Sequence, residues 1–237
     1  MTQPRIGLMV PINNTTLARE LADAMPEALL TTLRIPRGQG LLTAQTLPAY
    51  QGGALKLAQR FADQPVDVVG YGCTAAGFIG GPAADRALAA ELAAITGAPV
   101  VTTARSMVLE LQRVGARSIA LVTPYLDEVN ACLKSFLEEA GIRVRRFDSL
   151  YAADVDVLGS ITPEQVEAIA RTTMDDGCDA MFIACAQLPT RTILAGLQEA
   201  FGRPVISANA ALTAQLRGVL AQSAAEESAR RSVERAS

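Results

Sequence analysis

An internal repeat constrains the fold of this chain more than any other sequence feature. A run of apolar residues leads directly into Cys73, and a similar run leads into Cys185. Strands ending at Pro11 and Pro124 precede these two cysteines by nearly the same number of residues. The repeat predicts two similar lobes, each with one thiol at the carboxyl end of a strand. In open α/β sheets, ligands bind at that end.

Strand patterns alternate with helix patterns along the whole chain, which predicts parallel sheets. The expected fold class is α/β, with two pseudo-symmetric lobes, each a parallel sheet flanked by helices, and the active site in the cleft between them. The predicted strands are 5–11, 29–35, 66–72, 99–103, 118–123, 143–147, 179–184 and 204–207. The predicted helices are 17–25, 46–62, 84–96, 106–114, 126–140, one starting at Thr162-Pro163, 190–201 and 210–220. Loops are expected at Gly38-Gln39-Gly40, 77–82 and 148–162.

The domain boundaries follow from this repeat. Residues 1–104 are predicted to form the N-terminal lobe and residues 105–222 the C-terminal lobe. The pattern leaves open a return of the C-terminal helix, at about 210–222, onto the first lobe. Residues 223–237 are small, polar and charged, and a polar tail is expected there, as a frayed helix or without order.

Composition narrows the partners and the compartment. The 237 residues carry a net charge of −3, and no basic patch with interleaved aromatic residues is present, so no nucleic-acid partner is expected. The apolar runs are short, so no membrane span is expected, and the N-terminus does not have the pattern of a signal peptide. Four cysteines are too few for a disulfide scaffold of this length. A cytoplasmic protein with free thiols is the expectation.

The chain contains no histidine, and this excludes several kinds of site. Cys-His and Ser-His nucleophile pairs and histidine-dependent metal motifs are impossible. Any general base must be a carboxylate, a thiolate, a tyrosine, a lysine or water. No acidic cluster suggests a metal, so no metal ligand is assigned.

The four cysteines divide into two groups by their position. Cys132 lies inside a helix pattern and Cys178 precedes a strand, so both are read as small buried residues of the core. Cys73 and Cys185 each lie where a strand ends and a helix is about to begin. Backbone N–H groups at such a place favour an anion, which predicts a lowered thiol pKa and a catalytic role for this pair.

Polar residues follow the same strand ends and are candidates for binding an anion. Asn13 and Asn14 follow the first strand, Thr74 follows Cys73, and Tyr125 follows Pro124. Asn and Thr at a helix start are usually caps, and the same donors can hold a carboxylate. For Tyr125, packing and hydrogen bonding to a bound carboxylate are left open.

At these residues the chain resembles the aspartate/glutamate racemase superfamily, in particular its maleate cis-trans isomerase and arylmalonate decarboxylase branch. The resemblance covers the chain to about residue 220. The matching segments are Ile6 to Thr16, Asp67 to Thr74, Val122-Thr123-Pro124-Tyr125 and Ala184-Cys185-Ala186-Gln187-Leu188.

The resemblance implies chemistry next to a carboxylate without a cofactor. Cys73 would attack the double bond of maleate as a thiolate, Cys185 would handle a proton, and fumarate would leave. Asn14 and Tyr125 would hold carboxylates, with Asn13, Thr74 and Ala186 also in contact with the substrate. Maleate isomerases carry an Asn where this chain has Val155, which favours a less polar or differently substituted substrate. A homodimer is expected, as in many relatives.

Four functions stay open at this point. The first is a two-cysteine isomerase acting on a small carboxylate, most like maleate isomerase. The second is a two-thiol racemase of an amino acid or a hydantoin. The third is an arylmalonate-type decarboxylase, although decarboxylases have Gly where this chain keeps Cys73. The fourth is a protein that binds a small anion in the same cleft without catalysis.

Overall fold

The computed structural model describes residues 3–36, 43 and 45–236. The predicted loop Gly38-Gln39-Gly40 lies outside this range. Within it, the chain forms two sheets of four strands each. The first sheet contains β1 (Arg5–Pro11), β2 (Leu29–Ile35), β3 (Val68–Tyr71) and β4 (Val100–Thr102). The second contains β5 (Ser118–Thr123), β6 (Arg143–Ser149), β7 (Ala180–Ile183) and β8 (Val205–Ser207).

The helices of the described residues separate and flank these strands. They are α1 (Leu17–Ala24), α2 (Pro48–Asp63), α3 (Thr74–Phe78), α4 (Gly81–Thr96), α5 (Thr103–Arg113), α6 (Asp127–Glu139), α7 (Val155–Ser160), α8 (Pro163–Thr173), α9 (Leu194–Phe201) and α10 (Ala208–Ala236). The strands β3 and β7 are buried along their whole length, as expected when a parallel sheet is covered on both faces. The predicted α/β fold with two similar lobes is confirmed.

The two sheets have the same topology. The strand orders are β2-β1-β3-β4 and β6-β5-β7-β8, and all pairs are parallel. In each sheet the chain therefore leaves one central strand toward one edge and returns to the other central strand. The crevice beyond the carboxyl ends of such a strand pair is the place where open α/β sheets bind ligands. In this molecule those pairs are β1 with β3, and β5 with β7.

The lobes share one continuous hydrophobic core. The core extends from Met9 and Tyr71 of the first sheet to Leu121 and Phe182 of the second. Phe78 of α3 joins the lobes, because its ring lies 5.8 Å from that of Tyr125 in an edge-on arrangement and 6.4 Å from that of Phe136. The relative position of the two sheets is thus held by packing as well as by the connecting chain.

The helix α10 packs against elements of the first lobe. Its residues Leu212 and Leu216 belong to a second apolar cluster, with Ile6, Leu8 and Val68 of the first sheet. The helix also contacts α1 and α5. The boundaries drawn from the sequence at residues 104 and 222 stay predictions.

Four local predictions differ from the structure. Residues 148–162 are not a continuous loop, because Asp154 caps the short helix α7 through hydrogen bonds from the backbone N–H groups of Asp156 and Val157, both 2.9 Å. Helix α3 begins directly after Cys73, ahead of the turn predicted at 77–82. Helix α9 begins at Leu194 rather than at 190. Helix α10 continues to Ala236, although residues 221–230 are all exposed.

The start of α8 confirms its sequence signal. Thr162 and Gln165 form a capping box, with the Thr162 backbone N–H donating to the Gln165 side chain at 2.9 Å, and Pro163 occupies the first turn. Of the helices that can be described, none is long and apolar enough to cross a membrane.

Candidate active site

The carboxyl ends of the central strands of both lobes face one cavity of about 60 Å³. The structure brings together every site residue that the sequence singles out. The cavity is lined by Cys73, Cys185, Asn13, Asn14, Thr74, Tyr125, Val155 and Ala186. It is also lined by Pro11, Leu47, Tyr50, Gly72, Ala75, Leu158 and Gln187. Cys132 and Cys178 are not part of this lining. A cavity of this size suits a small molecule.

The first thiol is positioned by a tight turn after β3. A side chain at Gly72 would lie 2.4 Å from Leu17 and 2.8 Å from Val10, so only glycine fits where the strand passes β1 and α1. Cys73 then occupies the N-cap position of α3 with an extended backbone. Its side chain is buried, with 7% of its surface exposed.

Burial dominates the ionisation of Cys73. It raises the pKa of the thiol to about 12, against the lowering effects of the Ala76 backbone N–H and of the nearby Tyr71 hydroxyl. A negative charge on Cys185 also raises the pKa of Cys73. The prediction of a lowered pKa is therefore wrong for this site, because a single turn of helix offsets only part of the desolvation of a buried thiolate.

The second thiol lies on a strained backbone. Cys185 has a φ of 108°, a value that residues with a side chain rarely adopt, and such a conformation costs on the order of 1–3 kcal/mol. The backbone N–H of Gln187 donates to its sulfur at 3.5 Å. Burial raises the pKa of Cys185, while the N–H groups of Gln187 and Leu188 and the Tyr125 hydroxyl lower it.

Tyr125 presents an unpaired hydroxyl to the same space. The hydroxyl oxygen is buried, and no described residue forms a hydrogen bond of normal length and angle with it. Burial and the charges of Cys185 and Cys73 raise the pKa of Tyr125 well above its ordinary value, so the phenol stays protonated. A buried donor without an acceptor is destabilising, which indicates a hydrogen bond to a ligand.

Asn14 can cap a helix and bind a ligand at once. Its Oδ1 accepts hydrogen bonds from the backbone N–H groups of Thr16 and Leu17, at 3.1 and 2.9 Å. These bonds fix the side chain at the start of α1, and among the described residues the Nδ2 group has no acceptor. The amide is thus held with its two donors available at the cavity.

Hydrogen bonds between the lobes fix the rim of the cavity. The Ala186 backbone N–H donates to Thr74 Oγ1 at 3.2 Å. The Gln187 side chain pairs with Thr15, accepting from its backbone N–H at 3.0 Å and donating to its hydroxyl at 3.2 Å. Each bond joins a residue next to one thiol with the opposite lobe, so the two sulfur atoms are held on opposite sides of one cavity.

One wall of the cavity is apolar. Val155 is the first residue of α7, and Leu158 lies one turn further along the same helix. Leu47 and Pro11 also contribute to the lining, and no Lys or Arg of the described residues takes part in it. Any carboxylate bound here would be held by hydrogen bonds rather than by an ion pair.

Sequence analysis misses several residues that shape this site. Gln187 follows Cys185 by two positions and was identifiable as a strand-end polar residue. Glu20 carries no sequence signal, yet its buried carboxylate accepts from the backbone N–H groups of Thr190 and Arg191 at 2.8 and 3.0 Å and from Asn209 Nδ2 at 2.8 Å. It thereby anchors the segment that follows Cys185. In the part of the chain that is described, no group of three or more Cys, Asp or Glu side chains is placed to hold a metal ion.

Comparison with known proteins places this site in a family. The family model described as arylmalonate decarboxylase matches residues 6–231. The chain belongs to the arylmalonate decarboxylase family. The curated arylmalonate decarboxylase of Bordetella bronchiseptica is 27% identical over 88% of this chain and 87% of that protein. The relatives of this member of the arylmalonate decarboxylase family also include isomerases.

The maleate isomerase of Nocardia farcinica is 31% identical, over 86% of this chain and 85% of that protein. A solved structure is similar as well, that of a cysteine-to-serine mutant of the Nocardia farcinica maleate cis-trans isomerase with a covalently bound succinylcysteine intermediate. It superposes with a TM-score of 0.84 at 28% identity, covering 92% of both chains. Arylmalonate decarboxylase family members similar to this chain are thus enzymes of two kinds, isomerases and a decarboxylase.

Proposed function

We propose that this protein is a cofactor-independent cis-trans isomerase of a small α,β-unsaturated carboxylate, with maleate as the reference substrate. The observation that carries the proposal is the pair of free thiols, Cys73 and Cys185, which line one cavity from opposite lobes beside unpaired amide and phenol donors. The covalent succinylcysteine intermediate of the Nocardia farcinica enzyme supports the same chemistry here.

The reaction needs one nucleophile and one proton carrier. The Cys73 thiolate adds to one alkene carbon, and the C=C π electrons move toward the carboxylate on the neighbouring carbon. Cys185 donates its proton to that carbon and becomes a thiolate. The former double bond is now a single bond and rotates. Cys185 then removes a proton from the same carbon, the C–S bond breaks, and Cys73 leaves as a thiolate with the trans alkene restored.

The polar donors have a defined task in this scheme. Negative charge develops on the substrate carboxylate when the thiolate adds. Asn14 Nδ2 and the Tyr125 hydroxyl are the neutral donors available to it, and Thr74 lies between the two lobes at the same place. Hydrogen bonds from fixed donors in a site that excludes water stabilise such charge strongly.

Trapping of the adduct tests the proposal. Cys185→Ser should accumulate a covalent adduct, because the addition can occur while proton handling is impaired. Intact mass spectrometry should show a gain equal to one maleic acid, located on the peptide that contains Cys73. Cys73→Ser is the matched control and should gain no mass. Full turnover by Cys73→Ser would contradict the proposal.

Val155 defines which carboxylate fits best. The far wall of the cavity is apolar, so we propose that the substrate carries one firmly bound carboxylate and a less polar end near Val155 and Leu158. Val155→Asn should raise kcat/KM for maleate by tenfold or more, because it adds donors for a second carboxylate. Leu158→Asn, the same kind of change one turn further along α7, should not. Equal effects of both variants would contradict this assignment.

Decarboxylation of an arylmalonate is the second candidate function. The family model and the Bordetella bronchiseptica relative favour it, as does the apolar wall. Carbon dioxide release from an arylmalonate, measured beside fumarate formation from maleate, separates the two activities. A decarboxylase would lose activity in Cys185→Ser and keep it in Cys73→Ser.

The two-thiol racemase of the sequence analysis is tested in deuterated water. A racemase would place deuterium on the α-carbon of recovered amino acid or hydantoin, in a reaction that needs both Cys73 and Cys185. An anion-binding protein without catalysis would bind maleate unchanged in both serine variants.

We further propose that the protein acts as a homodimer in the cytoplasm. All four cysteines are free thiols, which supports a reducing compartment. Light scattering coupled to size-exclusion chromatography measures the assembly, and a mass near the 24.9 kDa of one chain would contradict the dimer.

A further inference from the structure

Tyr71 is a buried tyrosine directly behind the first thiol. It ends β3, two residues before Cys73, so both side chains leave the strand on the same side. Its side chain is fully buried, and no atom of the described residues completes a hydrogen bond of normal length and angle to its hydroxyl. The Cys73 thiol lies close enough for each group to shift the pKa of the other. Packing alone does not account for this hydroxyl, since phenylalanine would fill the space without an unpaired donor.

A second unpaired group lies behind Tyr71. Asp85 of α4 is buried, with 2% of its surface exposed. Its Oδ2 accepts a hydrogen bond from Thr102 Oγ1 at 2.8 Å, whereas Oδ1 has no partner among the described residues. Oδ1 faces Gly77, where a side chain would lie 3.2 Å away from it. A charge on Asp85 contributes to the raised pKa of Tyr71, after burial and a charge on Cys73.

Asp85 also borders a second cavity, which has a volume of about 390 Å³. This cavity is separate from the first and has a more polar lining, which includes Arg86, Arg105, Gln112 and Glu139. Polar atoms without partners beside a roomy polar cavity are the setting in which ordered water bridges buried groups. Cys73, Tyr71 and Asp85 therefore form a continuous series from the substrate cavity to the second one.

The proposed reaction creates a need for such a series. Cys73 must lose a proton before it can attack, the chain has no histidine, and the cavity lining contains no carboxylate. A thiol with a pKa of about 12 releases its proton to water at only about 10⁻² per second, given a diffusion-limited return of about 10¹⁰ M⁻¹s⁻¹. Enzymes typically turn over at about 10 per second. An internal proton acceptor removes this conflict.

We propose that Tyr71 and Asp85 form a proton exit that leads from the Cys73 thiol to the second cavity. The S–H proton passes to the Tyr71 oxygen while the Tyr71 proton passes, through a bridging water, to Asp85 Oδ1. The sulfur keeps the electron pair, and Asp85 releases the proton to solvent in the second cavity. Neither residue touches the substrate, so both are positioning residues for Cys73. The inference rests on the proposed function only in giving Cys73 the attacking role.

The charged groups around Asp85 suit a transient acceptor. Burial raises the pKa of Asp85 to about 6, while Thr102 of β4, Arg105 of α5 and Arg86 of its own helix lower it. Glu139 of α6 borders the same cavity. At neutral pH the carboxylate is therefore mostly ionised and able to accept a proton. Below about pH 6 it is protonated, and the exit closes.

Alkylation by iodoacetamide tests the exit without any substrate. The rate of Cys73 modification is followed by peptide mass spectrometry at increasing reagent concentration, and its plateau reports proton loss. Tyr71→Phe should lower the plateau for Cys73 by tenfold or more and leave Cys185 nearly unchanged. Tyr151→Phe removes the hydroxyl of an exposed tyrosine and is the matched control. An unchanged plateau in Tyr71→Phe would overturn the inference.

Asp85→Asn separates a proton exit from a purely electrostatic or structural effect. Removing a nearby negative charge should favour the Cys73 thiolate and speed alkylation. Loss of the proton acceptor should slow it, which is the result we expect, together with loss of the inflection near pH 6. Faster alkylation in this variant would refute the exit. Isomerisation is assayed separately, so a failure of the proposed function would leave this result interpretable.

Discussion

The ionisation of Cys73 governs how activity should depend on pH. Burial raises its pKa to about 12, so the thiolate is a small fraction of the enzyme at neutral pH. Because only the thiolate attacks, kcat/KM should rise about tenfold per pH unit from pH 7 to 9, without reaching a plateau. Initial rates across this range measure the slope. A profile that is flat between pH 7 and 9 would show that Cys73 is already ionised.

Asp85 makes a separate prediction about stability. Its pKa in the folded protein, about 6, lies above the ordinary value of 3.8, so its contribution to stability is fully present below about pH 4 and is lost as the pH rises through 6. Asp85→Asn removes this loss. Relative to wild type, the variant should gain up to about 3 kcal/mol in the free energy of unfolding between pH 4 and pH 8.

Urea unfolding at the two pH values measures this difference. Asp176→Asn, the same change at an exposed aspartate, serves as the control and should show a much smaller pH-dependent difference. A loss of stability by Asp85→Asn that is equal at both pH values would mean that the Thr102 hydrogen bond, rather than the charge, determines the role of Asp85.

At the level of residues, the sequence predicts the groups that follow strands. Cys73, Cys185, Asn14 and Tyr125 were identifiable because strand ends converge in a parallel sheet. Tyr71 was not, since a tyrosine inside a strand pattern looks like any core residue. The raised thiol pKa also escaped prediction, because burial depends on how the two lobes close over the site, which a local pattern does not contain.

At the level of elements, helix α1 anchors the segment that carries the second thiol. The Glu20 carboxylate accepts three hydrogen bonds of 3.0 Å or shorter, from Thr190, Arg191 and Asn209. In Glu20→Gln, an amide N–H₂ group would face these donors. The variant should lose about 1–3 kcal/mol of unfolding free energy and should turn over more slowly, because the backbone near Cys185 is no longer fixed.

Thermal melting and kcat together check the role of Glu20. Glu27→Gln changes an exposed glutamate near the end of the same helix and should alter neither quantity. If Glu20→Gln melted earlier but kept the wild-type kcat, the anchor would be structural only and would not position Cys185.

Element boundaries show where local sequence signals work and where they do not. Strands β2 and β5 begin and end at the predicted residues, because apolar runs bounded by charge and turn residues are unambiguous. Helix α7 was taken for part of a loop, since six residues are too short for a helical period to be seen. Helix α10 extends beyond residue 220 along exposed residues whose small and charged side chains were read as a frayed or disordered tail.

At the level of the whole molecule, catalysis depends on how two similar lobes are held together. Each lobe offers one thiol, and neither lobe alone forms the cavity. Phe78 is the residue best placed to couple them, since it is buried on α3 just after Cys73 and packs its ring against Tyr125 and Phe136 of the second lobe. The distance between the two sulfur atoms should therefore be sensitive to this side chain.

Phe78→Ala should lower the free energy of unfolding by about 3–5 kcal/mol, as expected for a buried phenylalanine. It should also reduce kcat more than stability at the assay temperature explains, because Tyr125 loses its packing partner and the lobes can separate. Phe78→Leu, which keeps most of the volume, should recover much of the stability and part of kcat. Chemical denaturation and steady-state kinetics on the three proteins separate the effects. If Phe78→Ala were destabilised but fully active when folded, the contacts between lobes would support the fold without setting the geometry of the thiol pair.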